Sequence, residues 1–272
     1  MGRQSRAKDF ENSFRRQIPI GNFINTIAKL LPMKTLITGG SGALGASLKK
    51  AFKRAFCPSH KEMDITDKNF VNNSILDYKP DILVHAAALV GIRECEEDKK
   101  KAWLTNVEGT QNVVNALKKL NNNCYLAYMS TACVFAGENE KYYTEDDAPA
   151  PKNYYSMTKL CGEIITRQYP NTCIIRTNFV PKQQWKYPKA FVDRFGTYLF
   201  ADNAAQGIKD VAKKKEKGII HIVGDKRMSM YELALLAGSK NVGKMILKEY
   251  SGPPLTIDMS LSTKRWKKYK IK

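Results

Sequence analysis

Tyr155 and Lys159 form the most chemically suggestive pairing in the sequence. Four residues apart on a helix, they share one face, one turn from each other. A phenolic proton donor then stands beside a cation. Upstream, residues 38–45 read Thr-Gly-Gly-Ser-Gly-Ala-Leu-Gly. Glycines at 39, 42 and 45 permit a tight turn, a close backbone approach to a pyrophosphate and close helix–strand packing. The helix N-terminus then faces the phosphates. Each element alone has a plain structural explanation, a surface helix pair or an ordinary strand–helix turn. In this order along one chain they point to a nicotinamide-dependent reductase.

Such residues need a scaffold, and the hydrophobic pattern supplies one. Apolar runs at 34–38, 81–87, 124–130, 172–177 and 218–223 read as strands. They alternate with helical patterns at 43–56, 99–120, 154–168, 202–214 and 229–236. This alternation predicts an α/β fold, a doubly wound parallel sheet of Rossmann type covered on both faces. Ligands then bind at the carboxyl ends of the strands. The glycine turn and residues 85–88, 130–134 and 176–180 occupy those ends.

The chain has 272 residues and a net charge of +19, with no apolar run long enough to span a bilayer. Residues 1–32 carry six basic and two acidic residues, and 264–272 carry six basic and no acidic residue. No nucleic-acid motif accompanies this charge, so it reads as a solvated surface that also draws in an anionic substrate rather than as a nucleic-acid site. Six scattered cysteines without a Cys-x-x-Cys pair read as reduced thiols of a cytoplasmic protein, and no metal site is expected. Residues 1–32 read as a basic amphipathic extension preceding the nucleotide fold, suited to partner docking or homodimer formation.

Five stretches carry a resemblance to the extended short-chain dehydrogenase/reductases, and within them to dTDP-4-dehydrorhamnose reductases. They are residues 38–45, Asp64-Ile65-Thr66-Asp67, residues 79–88 ending in Ala86-Ala87-Ala88, residues 130–135 beginning Ser130-Thr131, and residues 143–163. The last places Glu145, Asp147, Pro149, Asn153, Tyr155, Lys159 and Glu163 at the family's spacing. Asn106 fits the structural asparagine of the central helix. The resemblance implies a general acid, Tyr155, whose high phenolic pKa Lys159 and an oxidised nicotinamide would lower. It implies that Thr131 holds the substrate carbonyl. It further implies cofactor contacts from Gly39, Gly42, Ala43, Leu44, Asp64, Ile65, Ala86, Ala87, Ala88, Asn106, Ser130, Tyr155 and Lys159. The substrate implied is a nucleotide-linked 4-keto-6-deoxy sugar. Residues 33–177 and 198–223 would form the nucleotide-binding domain. Residues 178–197 and 224–272 would form a small, shortened C-terminal substrate lobe.

The second strand lacks an obvious terminal acid, and Ser59, His60 and Lys61 follow Phe56 instead. A cationic, hydroxyl-bearing loop suits a 2′-phosphate, so NADPH is expected, with NADH as the alternative. The chain departs from the family at Ala132 and Cys133, at Ser156, at Phe179, and between Val180 and Phe191, where a helix and loop are missing. Two other readings stay open. One is reduction or epimerisation of a UDP- or GDP-sugar. The other is a non-catalytic, NADP-binding regulatory subunit.

Overall fold

The computed structural model describes residues 33–120, 122–138 and 142–271, so the extension at 1–32 lies outside the described residues. Four apolar runs are buried along their whole length: β1 (Thr35–Thr38), β2 (Ile82–His85), β3 (Tyr125–Met129) and β4 (Thr172–Thr177). With β5 (Gly218–Ile222) they form one sheet, ordered β1-β2-β3-β4-β5, every pair parallel. Continuous apolar strands are what a parallel sheet covered on both faces requires.

Among the described residues there are eight α-helices: α1 (Ala43–Ala51), α2 (Lys68–Tyr78), α3 (Ile92–Glu97), α4 (Lys99–Trp103), α5 (Gly109–Lys119), α6 (Tyr154–Thr166), α7 (Ala201–Lys214) and α8 (Met230–Leu236). Side chains alternate across the pleat. Ile37, Val84 and Ala127 pack against Leu44 and Leu48 of α1 and Ile208 of α7. Leu36, Leu83 and Leu126 pack on the other face, against Val71 and Ile75 of α2 and Val113 and Leu117 of α5.

Three local readings need correction. The helix expected over 43–56 ends at Ala51, and Phe56 turns back beside β1. There the Ile37 N–H donates to the Phe56 carbonyl at 2.9 Å, and the Phe56 N–H to the Thr35 carbonyl at 2.8 Å. The single helix expected over 99–120 is broken by a π turn at Leu104–Glu108. α2 has no counterpart among the expected elements. Its sequence is polar and buries only Val71 and Ile75, and Asp67 caps it by accepting from the Asn69 and Phe70 N–H groups.

Two buried polar groups lock helices to the sheet. His85 is fully buried between Thr38 and Thr110, with Nδ1 2.7 Å from the Thr38 hydroxyl and Nε2 3.1 Å from the Thr110 hydroxyl. Because Thr110 donates to the Asn106 carbonyl at 2.7 Å, its oxygen accepts from Nε2–H, which leaves Nδ1 to accept from Thr38. Burial, with Lys159 adding to it, pushes the imidazole down to about 3, so it stays neutral. On α6, Glu163 accepts from Arg176 of β4 at 2.9 Å (Nε) and 2.7 Å (Nη2), and from the Ser130 hydroxyl at 2.5 Å. The ion-paired side chains are 0% and 1% exposed.

Beyond β4 the chain builds short strands. Phe179–Val180 pairs with Leu199–Phe200, Lys189–Phe191 with Gly243–Met245, and Phe195–Gly196 with both Met228–Ser229 and Asp258–Met259. The basic C-terminal segment folds back on the sheet. Tyr269 bridges Gly224 and donates its hydroxyl to Asp210, while Lys264 and Arg265 meet Asp146. Among the described residues no helix is long and apolar enough to cross a membrane.

Breaking the Glu163–Arg176 pair from one side strands a buried charge. Arg176→Leu is expected to lower stability by about 3–5 kcal/mol, read as a lower urea midpoint at an unchanged slope. The double variant Arg176→Leu/Glu163→Leu should recover part of that loss. A loss below about 1 kcal/mol for the single change would show that the pair does not hold α6 to the sheet.

Candidate active site

The carboxyl ends of β1, β2, β3 and β4 open onto one cavity of about 830 Å³. Gly39, Gly42, Ala43, Leu44, Asp64, Ile65, Ala86, Ala87 and Ala88 line one part of it. Ser130, Thr131, Tyr155 and Lys159 line another.

The glycine turn behaves differently at each position. Gly39 has φ +73°, and a Cβ there would fall 2.6 Å from the Ala87 nitrogen. Gly39 is therefore demanded by the fold itself. Gly42 is extended, and a Cβ on it would meet only the Gly39 carbonyl oxygen, at an ordinary 3.5 Å. The protein's own packing leaves Gly42 free to be larger. Gly42 also caps α1 without any side-chain hydrogen bond, and no acidic residue stands in the first turn. Uncapped N–H groups and a partial positive charge thus meet the cavity at a spot where the backbone is bare. This is the geometry that a dinucleotide pyrophosphate needs, held by the N-terminus of α1 across Gly42, Ala43 and Leu44.

Asp64 lines the cavity, but its Oδ1 accepts from the Thr66 N–H and hydroxyl at 2.9 and 2.8 Å, so it also builds the turn before α2. Of the loop after Phe56, His60 reaches the cavity wall together with Pro58. Ser59 does not stand free for a phosphate, because its hydroxyl donates to Glu62 at 2.8 Å, and Lys61 does not line the cavity.

Asn106 requires a correction as a cofactor contact. It is 1% exposed and absent from the cavity wall, which Thr105 lines instead. The π turn rotates its amide toward the loop after β2. There it accepts from the Leu89 N–H at 2.8 Å and donates to the Leu89 carbonyl and the Thr158 hydroxyl at 3.0 and 2.9 Å. Thr158 in turn donates to the Tyr155 carbonyl at 2.8 Å. Asn106 positions Tyr155. Ser130 likewise commits its hydroxyl to Glu163.

Thr131 accepts from the Cys133 N–H at 3.1 Å and stands on the cavity wall. The Tyr155 phenol beside it does not follow the expected downward shift. Burial pushes it above its ordinary value, the Cys133 thiol adds to this, and the Thr131 hydroxyl opposes it. The phenol is thus held as a neutral acid. Lys159 is 4% exposed, with Nζ 4.3 Å from the centre of the Tyr128 ring and no carboxylate within 4 Å among the described residues. Burial pushes its amine down to about 7, against the pull of Glu163 one turn on. Cys133 packs its sulfur against Met259 at 3.3 Å.

The sequence profile of the RmlD substrate binding domain matches residues 33–196, more than half of the chain. The chain belongs to this family. Among relatives, the spore coat polysaccharide biosynthesis protein SpsK of Bacillus subtilis is 35% identical over 152 residues, spanning 54% of this chain and 53% of that one. The dTDP-4-dehydrorhamnose reductase of Aggregatibacter actinomycetemcomitans is 27% identical across 79% of this chain and 81% of its own length. The methionine adenosyltransferase 2 subunit beta of Pongo abelii is 26% identical, covering 82% and 76%. The crystal structure of dTDP-4-dehydrorhamnose reductase from Bacillus anthracis in complex with NADP superposes with a TM-score of 0.79 at 22% identity, over 85% of this chain and 91% of that one. This last likeness is one of fold.

Sequence reasoning passed over a further stretch of the wall. Asn178, Phe179, Val180, Gln183, Trp185 and Tyr187 line the cavity, as does Met230 at the start of α8. The signal was present as a Gln-Gln-Trp-Lys-Tyr run between two prolines.

Two outcomes follow from this geometry. Gly42→Val should fold normally yet lose NADPH binding, whereas Gly39→Val should lose stability first. Thermal unfolding and cofactor fluorescence titration on each variant check the pair. For Lys159, the folded protein releases a proton near pH 7 that the unfolded chain keeps to about pH 10.5. Between those limits the unfolded state holds more protons, so stability rises with pH there, and the burial penalty is fully present below pH 7. Lys159→Met removes that penalty. It should raise the unfolding temperature clearly at pH 6 and much less at pH 10. Equal shifts at both pH values would contradict the assignment.

Proposed function

We propose that the chain is an NADPH-dependent reductase of a nucleotide-linked 4-keto-6-deoxy sugar, of the dTDP-4-dehydrorhamnose reductase type. One observation carries this reading. Thr131, Tyr155 and Lys159 lie on the wall of the same cavity that the bare N-terminus of α1 enters. The names of several relatives and of the superposed crystal structure support it.

A nicotinamide dinucleotide held across Gly42, Ala43 and Leu44 would supply the hydride for the C4 keto carbon. The Thr131 hydroxyl, oriented by accepting from the Cys133 N–H, donates to the keto oxygen and fixes it. Tyr155, kept protonated by burial, delivers its proton as negative charge develops on that oxygen. Lys159, one helical turn away, takes up or keeps a proton and offsets the phenolate that remains. Asn106 and Thr158 hold the backbone of Tyr155 from behind. His60, whose Nε2 lies 3.5 Å from the Asp64 carboxylate, is the polar side chain of the loop after Phe56 on the cavity wall and is the group there that supports NADPH over NADH.

A second reading, an NADP-binding regulatory subunit, is favoured by the likeness to methionine adenosyltransferase 2 subunit beta over most of the chain. The set of proton-transfer residues favours the enzyme.

Turnover measured across dTDP-, UDP- and GDP-linked 4-keto sugars with NADPH and NADH decides between them. Tyr155→Phe is expected to lower kcat by about 10²–10⁴-fold while leaving the NADPH Kd unchanged. Wild-type turnover by the variant would remove Tyr155 as the acid. NADPH binding by the native chain without turnover of any sugar would favour the regulatory subunit.

A further inference from the structure

The cofactor and the proton-transfer residues account for the cavity wall over β1, β2 and β3. They leave the segment at 181–187 without a role. This segment follows β4, three strands from β1 in the sheet, and strands stand about 4.8 Å apart. A ligand crossing the strand ends from the glycine turn therefore passes Thr131 and Tyr155 before it reaches Trp185.

The segment is short, and its anchoring is specific. The Trp185 N–H donates to the Ser239 hydroxyl at 2.7 Å, and its indole N–H to the Lys189 carbonyl at 3.1 Å. Lys189–Phe191 then pairs with Gly243–Met245. The indole is thus braced by polar contacts to the lobe while it lines the cavity. Tyr187 lies edge-on to it, ring centres 6.0 Å apart at 65°, and is 55% exposed. Lys186 sits 4.9 Å from the Tyr187 ring and has no carboxylate within 4 Å among the described residues. Asp64, near the glycine turn, is the one carboxylate on the described cavity wall, so the Trp185 end is free of negative charge. Gln183 and Gln184 add amides able to donate and accept.

We propose that Trp185, with Tyr187 set edge-on to it, forms the stacking surface for the nucleobase of the substrate, with Lys186 facing its diphosphate and the Gln183 and Gln184 amides meeting the base edge. This rests on the reading of the substrate as nucleotide-linked. The indole presents a rigid π face with little rotamer entropy to lose, and a base stacked on it is held in the way aromatic platforms hold nucleobases elsewhere. The ammonium contributes the charge complement to a diphosphate. On this assignment the 181–187 segment selects the nucleotide, and the sugar is thereby placed against Tyr155.

The test uses nucleoside diphosphates without the sugar, so that it does not depend on turnover. The full chain is saturated with NADP to occupy the dinucleotide end, and dTDP, UDP and GDP are titrated by calorimetry. The native protein is expected to bind at least one of them. Trp185→Ala should weaken that binding about tenfold. Trp185→Phe should retain most of it, and NADP affinity should be unchanged in both. Lys186→Ala should weaken the diphosphate but not the free nucleoside, and it guards against a Trp185→Ala variant that folds poorly. Native-like diphosphate binding by a folded Trp185→Ala overturns the stacking assignment, as does loss of NADP affinity alongside it. If the native protein binds NADP but none of the three diphosphates, the nucleotide-linked substrate itself is wrong, and the proposal falls with it.

Discussion

A carboxylate with no access to water governs the catalytic wall. Glu163 sits on α6 two turns beyond Tyr155 and one beyond Lys159, and it is fixed by the Arg176 guanidinium and the Ser130 hydroxyl. α6 is therefore pinned at once to β4 and to the end of β3, the strand that delivers Thr131. Without this node the tyrosine and the threonine would ride on independent elements. The arrangement carries a large desolvation penalty, and it works only because each Glu163 oxygen is met by a donor. The same charge keeps some proton affinity in Lys159 against its burial. Specificity of geometry, rather than net stability, is what such a pair supplies.

The parts legible in the sequence were those set by local rules. The apolar runs, the glycine spacing and the four-residue step from Tyr155 to Lys159 needed no knowledge of distant contacts. What escaped depends on partners far along the chain. Phe56 pairs with β1 only because the chain turns back after Ala51. Asn106 was expected at the cofactor, but a π turn aims it at Leu89 and Thr158 instead. Ser59 was read as a phosphate ligand, but Glu62 three residues on takes its hydroxyl. A helix as polar as α2 gives little periodic signal, because only two of its residues are buried.

The charge distribution changes meaning once folded. The basic run near the C-terminus reads in the sequence as a solvated surface, yet its backbone and side chains meet acids of the body. Glu145 accepts from the Thr263 hydroxyl and from the Lys264 and His221 N–H groups. Burial alone would raise its pKa, but these donors hold it below the usual carboxylate range. The Tyr269 hydroxyl accepts from the Trp266 indole and donates to Asp210, and both aromatics pack on the sheet side that carries α1 and α7. Exposed ion pairs contribute little singly. The packed aromatics are what fasten the segment.

The pairing of Phe195–Gly196 has a consequence for how the protein is made. During synthesis β1, β2, β3 and β4 emerge in the order in which they pair, so the dinucleotide half of the sheet can assemble as it leaves the ribosome. Phe195–Gly196 must wait for Met228–Ser229 on one side and Asp258–Met259 on the other. The nascent chain therefore gains a cofactor cradle well before it gains a finished second lobe. A dinucleotide bound there would stabilise the correctly paired sheet while the ribosome is still supplying the rest. A ligand that binds at the strand ends would then act on folding yield as well as on the finished protein.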